Sequence, residues 1–224
     1  TYSHQNQSSS NQNLSTNRYS EYFDKLSNAI QEGAVLAIKG LGGFHLVCDA
    51  RNPDTIKKLR AFKLRPDKPF AVMALNAKSL SEFVEIDNRT KSLLQSTSAP
   101  IVLLPKRSFT DPKTETLAPK VSDLGCMLPY TAIHYLLFYA LLGKPKGPSW
   151  LTEAQEPLLV ITSANLSGEP LISSKQECIE KMSDIAEYIL CHDRDIVFST
   201  DDSVIQSSGA NTANTIMVRR ARGF

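Results

Sequence analysis

The sequence predicts an α/β fold, a twisted mixed β-sheet with helices packed on it. Three observations predict this. Short apolar runs alternate along the chain with segments whose apolar residues recur at helical spacing. The run at 34–38 is apolar throughout, as a strand buried on both faces requires. The 224 residues, 42% of them hydrophobic, are enough to build a large core.

The elements follow in order. Residues 1–18 are almost entirely Ser, Asn, Gln and Thr and have little to bury, so they read as a flexible polar arm or linker, with a domain boundary before Tyr19. A cleavable tag is the alternative. The domain proper is 19–224, and a start at Thr1 rather than methionine suggests a piece of a longer protein. Tyr22, Phe23, Leu26 and Ile30 keep helical spacing, with Ser20 as cap and Gly33 as stop. A strand at 34–38 ends in the glycine-rich loop Gly40-Leu41-Gly42-Gly43. Asn52-Pro53 opens the next helix, which carries Ile56, Leu59 and Phe62 and ends by Pro66. Strands are expected at 70–75, 100–104, 158–162 and 188–191, and helices at 88–95, 131–142 and 174–182. Late strands at 203–206 and 215–219 make the sheet mixed rather than all parallel. Residues 112–119 and 143–157 read as surface loops.

Composition excludes several classes. Lys and Arg number 25 against 23 Asp and Glu, a net charge of +2 that dictates no partner. No stretch approaches the roughly 20 apolar residues that span a bilayer. Cys48, Cys126, Cys178 and Cys191 form no C-x-x-C pair, against a disulfide scaffold or zinc knuckle. Reduced thiols in a cytoplasmic protein are the expectation. His45, His134 and His192 have no ligand spacing, so no metal site is expected; His134 reads as a core residue.

Four segments can carry chemistry. Glycines after the first strand allow close approach of backbone amides to an anion, though the same residues make an ordinary tight turn. Lys63 and Arg65 leave a helix end stopped by Pro66. They suit a phosphate or carboxylate, or simply a solvated basic terminus. Ser163 and Asn165 follow an apolar strand, at the carboxyl end where open α/β sheets bind ligands; Asn-Leu-Ser-Gly is also a common turn. Arg219, Arg220 and Arg222 end the chain as an anion site or a solvated tail. Asp201-Asp202-Ser203 either binds Mg²⁺ or caps a turn. Positive charge and hydrogen-bond donors with no evident general base suit phosphoanhydride chemistry, where positioning and charge neutralisation dominate.

Taken together and in order, residues 39–50 (KGLGGFHLVCDA), 63–73 (KLRPDKPFAVM), 124–131 (LGCMLPYT) and 161–170 (ITSANLSGEP) resemble the YrdC-like domain of the HypF hydrogenase-maturation carbamoyltransferases. Residues 192–196, 201–204 and 219–224 extend the resemblance, which covers 19–224 and leaves the polar start without a counterpart. The broader YrdC family includes threonylcarbamoyl-AMP synthases, whose Lys-x-Arg and Ser-x-Asn signatures fall on Lys63/Arg65 and Ser163/Asn165. Those enzymes carry a Thr-Glu-Thr-type segment where this chain has 40–44 (GLGGF), which removes groups that help to hold threonine.

The resemblance implies a concave, positively charged cleft that binds ATP with Mg²⁺ and adenylates carbamate derived from carbamoyl phosphate, releasing pyrophosphate. It implies phosphate contacts from Lys63, Arg65, Ser163 and Asn165, with Lys63 and Arg65 catalytic. Arg219, Arg220 and Ser203 are further nucleotide-binding candidates, and Gly42, Phe44 and His45 shape the carbamate end. It implies transfer of the carbamoyl group to HypE, and partnership with acylphosphatase, zinc-finger and carbamoyl-transferring domains. Threonylcarbamoyl-adenylate synthesis and double-stranded RNA binding are the rival readings. RNA is disfavoured by the small net charge and by the lack of aromatics among the basic residues.

Overall fold

The computed structural model describes residues 6–108, 111–207 and 215–224. The first helix, α1, is Asn6–Gln31, so it begins well before Ser20, and residues 6–18 of the expected arm have helical backbone. Residues 1–5 lie outside the described residues. The packed half of α1, where Leu26 and Ile30 are buried, supports this length, because extending a helix is far easier than starting one. Gly33, at φ +94°, ends the helix in a conformation that a side chain disfavours.

The remaining elements are β1 (Val35–Lys39), β2 (Phe44–Asp49), α2 (Pro53–Phe62), β3 (Ala71–Ala74), α3 (Ala77–Leu80), α4 (Asn88–Leu94), β4 (Ile101–Pro105), α5 (Pro112–Leu117), β5 (Asp123–Met127), α6 (Ala132–Leu141), β6 (Leu158–Ser163), α7 (Lys175–Met182), β7 (Ala186–Leu190), β8 (Val204–Ser207) and β9 (Thr215–Arg219). The sequence reading missed β2, β5 and α3 and took α5 for a loop. In β2 the glycine run masks a period-2 strand, with Phe44, Leu46 and Cys48 facing one core and Val47 the other. In α5, Asp111 caps and Pro112 starts a helix too short to show periodicity.

One nine-stranded sheet runs β7-β1-β2-β6-β3-β5-β4-β8-β9 among the described residues. It is mixed, as predicted: β1/β7, β3/β5 and β4/β8 are parallel and the other neighbours antiparallel. Alternate residues of the inner strands feed two cores. One packs against α2, α4, α5 and α7; the other, containing Leu36, Ile38 and Val47, packs against α1 and α6. Each fully buried Leu, Ile or Phe contributes about 1.5–3 kcal/mol.

The sheet curls. Four strands separate β2 from β8 in the sheet. Even so, the Thr200 amide donates to the Gly42 carbonyl at 3.0 Å, and His45 Nε2 lies 3.1 Å from Asp202 Oδ2. Residues 200–203 therefore form a strap from β8 back to β2, across the face that α1 and α6 leave open. Contact is so close at Gly42 that a Cβ there would lie 2.1 Å from the Thr200 carbonyl oxygen. We expect Gly42→Ala to cost about 1–3 kcal/mol, the scale of overpacking, read as a fall in Tm of several degrees. An unchanged Tm would show that the strap has slack.

Candidate functional site

The open face holds a cleft of about 760 Å³, within the range of small-molecule sites. One wall comes from the α2–β3 connection. Asn52 caps α2, accepting from the Asp54 and Thr55 amides, and Lys63 closes it. Leu64 adopts φ +51°, a left-handed turn uncommon for Leu, which separates the directions taken by Lys63 and Arg65. Arg60 braces the turn, donating to the carbonyls of Arg65 (3.1 Å), Lys68 (2.8 Å), Thr116 (2.9 Å) and Leu117 (2.9 Å). Its guanidinium sits 4.6 Å from the Phe70 ring centroid, with that of Arg65 at 5.6 Å. Two cations thus share one aromatic ring, which fixes the wall.

The second wall is the end of β6. Ser163 Oγ donates to Asn165 Oδ1 at 2.7 Å, and Asn165 Nδ2 donates to the Glu169 carbonyl at 2.7 Å, a side-chain-stabilised turn. The walls meet at Lys63. Its ammonium donates to the carbonyls of Ser163 (2.6 Å) and Asn165 (2.7 Å) and reaches Asn165 Oδ1 at 3.3 Å. Lys63 is 1% exposed. Burial first, then the charges of Arg65 and Lys68, pull its ammonium down to about 7. Arg65 Nη1 donates to Thr162 Oγ1 at 3.3 Å, while its buried Nε has no hydrogen-bond partner.

The structure brings Lys63, Arg65, Ser163, Asn165, Arg219 and His45 to this one cleft. It also revises parts of the predicted set. Lys63 holds the Ser163–Asn165 turn with its ammonium instead of presenting it bare. Arg220 is exposed, past the end of β9, and is not among the cleft residues. Ser203 is buried, donating to the Arg222 carbonyl at 2.9 Å and accepting from the Ala221 amide at 2.8 Å. Phe44 points into the core on the opposite face. Gly42 lies under the strap, and the Gly40 amide donates to the Gly43 carbonyl at 2.8 Å, so this loop is a turn clamped by Thr200. Lys63, Arg65, Lys68 and Arg219 line the cleft with Asp123, Asp201 and Asp202, a field of both signs. The scaffold roles of Arg60 and Phe70 were not legible, since both look like ordinary members of an amphipathic helix and a strand.

The strap is locked by Asp202. Its carboxylate accepts from His45 and from Arg222 Nε (3.0 Å) and Nη2 (2.8 Å), and its carbonyl accepts from Arg219 Nε at 2.8 Å. Arg222 also donates to the Ser98 and Ala99 carbonyls and stacks over Tyr130 at 3.9 Å. Arg219 pairs with Asp201. Arg222 of the predicted anion cluster is thus a structural clamp. Among the described residues no group of three or more His, Cys, Asp or Glu could hold a metal. His134 is a core residue, as predicted: it meets the Tyr130 ring edge-to-face, and burial pushes it down to about 3.

Fold and cleft define the class, a twisted mixed-sheet α/β domain whose site lies under a strap on the concave face. The family model described as telomere recombination (Sua5/YciO/YrdC) matches residues 28–221, and the chain belongs to this family. It is 45% identical over 195 residues to carbamoyltransferase HypF2 of Cupriavidus necator, covering 87% of this chain and 24% of that protein. It is 27% identical over 166 residues to a threonylcarbamoyl-AMP synthase of Vibrio parahaemolyticus, covering 72% and 82%. A crystal structure of full-length HypF in a phosphate- and nucleotide-bound form superposes with a TM-score of 0.77 at 36% identity, covering 90% of this chain and 29% of that one. The chain spans about a quarter of the length of the HypF relatives it matches.

Burial opposes ionisation of Asp202, but His45 and Arg222 outweigh it and hold the carboxyl well below the usual carboxylate range. A depressed folded-state pKa stabilises above the unfolded value and loses that stability as pH falls. Asp202→Asn should therefore lower stability by about 3 kcal/mol at pH 7, leaving Arg222 buried without its counter-charge, and should flatten the decline between pH 5 and pH 2. Urea unfolding across that range checks both; parallel curves for the two proteins would contradict the ionised buried carboxylate.

Proposed function

We propose that this chain is the adenylate-forming domain of a HypF-type carbamoyltransferase. ATP and carbamate react to give carbamoyl-adenylate and pyrophosphate. A carbamate oxygen attacks the α-phosphorus, the bond from that phosphorus to the α,β-bridging oxygen breaks, and pyrophosphate leaves with the electron pair. The observation that carries this reading is the junction of the Lys63–Arg65 turn with the Ser163–Asn165 turn in one cleft, in a chain 45% identical to a carbamoyltransferase.

In this reading Arg65 is the principal charge partner of the phosphates. Its guanidinium is pre-oriented by Phe70 and Thr162, and its buried Nε is an unsatisfied donor awaiting an acceptor. The Ser163 and Asn165 side chains complete the cradle, and Lys63 fixes them while adding positive charge from beneath. Arg219 lies across the cleft. Asp201 and Asp202 are committed to cations, so Mg²⁺ would enter on the phosphate oxygens and supply further charge neutralisation there. His45 and the clamped Gly40–Gly43 turn close the small end. The carbamoyl group would pass to HypE, with acylphosphatase, zinc-finger and carbamoyl-transferring domains acting beside this one in the cytoplasm. Threonylcarbamoyl-adenylate synthesis, the activity named for the Vibrio relative, predicts threonine-dependent pyrophosphate release; carbamate adenylation predicts release without threonine. The three carboxylates lining the cleft speak against RNA, whose binding rests on many phosphate contacts.

Arg65→Ala is expected to lose about 10²-fold in ATP–pyrophosphate exchange, measured with carbamoyl phosphate and an acylphosphatase, the scale of removing one oxyanion donor. Lys63→Ala should lose at least as much, since it releases the Ser163–Asn165 turn. Unchanged exchange in both would reject the assignment.

Phosphate charge must raise the depressed Lys63 ammonium, so ATP binding at pH 8 should take up a proton. Calorimetry in buffers of different ionisation enthalpy reads this directly. Wild-type uptake that persists in Lys63→Met would assign the proton elsewhere.

A further inference from the structure

Beyond the phosphate cradle, the cleft continues over β5 and β4, and the character of its lining changes. Gly125 and Ala71 form a floor without side-chain bulk. Gly125 pairs with Leu103 in the β4/β5 register, and a Cβ added to it would lie 3.1 Å from Ile101 Cγ2 and 3.4 Å from Ala71 Cβ. Ile101, Leu103, Val204 and Val218 surround this floor. The result is a flat apolar shelf beside a cationic pocket, the shape a heterocyclic base attached to phosphates requires. At its edge stands one carboxylate, Asp123, two residues before Gly125 on the same face of β5. Gln206 Nε2 donates to Asp123 Oδ2 at 3.3 Å and orients the group. Unlike Asp201 and Asp202, Asp123 forms no ion pair among the described residues.

A carboxylate lining a phosphate-binding cleft is repulsive unless it has a donor to meet, and an ionised carboxylate only accepts hydrogen bonds. A nucleoside triphosphate presents such donors next to its phosphates: the ribose hydroxyls. We infer that the Gly125 shelf seats the base and that Asp123 reads the ribose 2′- and 3′-hydroxyls, making it the residue that selects a ribonucleotide. This rests on the reading of the cleft as a triphosphate site.

The test compares binding of ATP, 2′,3′-dideoxy-ATP and inorganic tripolyphosphate to the wild-type chain and to Asp123→Ala by calorimetry. The wild type is expected to prefer ATP over the dideoxy nucleotide about tenfold or more, the scale of hydrogen bonds to a charged acceptor. Asp123→Ala should lose this preference without weakening tripolyphosphate binding. A preference retained in Asp123→Ala overturns the assignment, as does a change in discrimination between ATP and GTP instead. Tripolyphosphate binding as tight as ATP removes the nucleoside shelf while leaving the phosphate cradle intact. Absence of binding by all three ligands overturns both. Gly125→Val gives an independent reading of the shelf: it should weaken both nucleotides and spare tripolyphosphate, and equal ATP affinity in this variant would also overturn the proposal.

Discussion

The site depends on one buried ammonium. Lys63 closes α2, and its Nζ reaches the backbone of the β6 turn about a hundred residues along the chain, donating to the carbonyls of Ser163 and Asn165. A lysine is buried only if its charge is compensated, and these dipoles supply part of that compensation. The arrangement joins two turns that the sheet alone would not hold in register. Ser163 and Asn165 are then presented by geometry set from α2, and Arg65, two residues on, is oriented by the same turn. Removing the ammonium therefore alters the positions of groups it never touches through side chains.

The second constraint is curvature. A nine-stranded sheet has two edges and a natural twist, and nothing in its ladder closes the concave face. Here the strap at 200–203 does so, because Thr200 bonds Gly42 and Asp202 binds His45. Asp202 is held from three directions, its carboxylate by His45 of β2 and by Arg222 near the C-terminus, and its backbone carbonyl by Arg219. The strap thus sets the depth of the cleft and the place of one of its cations. Glycine at 42 follows from the closeness of the strap, not from a need to bare amides to a ligand.

These two locks divide the cleft by chemistry. Near β6 it offers guanidinium, hydroxyl and amide groups. Over β5 and β4 it offers a shelf of small and aliphatic residues with the Asp123 carboxylate, held by Gln206, at the rim. A molecule with anionic, polar and flat apolar parts in sequence satisfies all three regions, whereas a long nucleic-acid backbone would meet carboxylates along its path.

Local order was readable from the chain because it is encoded at short range. The apolar runs of β1 and β6, the Asn52-Pro53 start of α2, and the alternation of helix and strand each follow from neighbours within a few residues. The Lys63, Arg65, Ser163 and Asn165 positions stood out because small polar and basic residues end apolar elements there. Strand β2 and helix α5 escaped because a glycine run and a six-residue span carry no clear period. The length of α1 escaped because its polar half has no packing pattern of its own. What the sequence by itself determined was the α/β class and the residues that end its elements. The tertiary structure alone decided which of them share a cleft: that Phe44 turns to the core, that Ser203 and Arg222 are structural, that Lys63 is a strut and that Asp123 forms no ion pair among the described residues. Those outcomes depend on sheet curvature and on contacts between residues a hundred or more positions apart, and no local pattern records them.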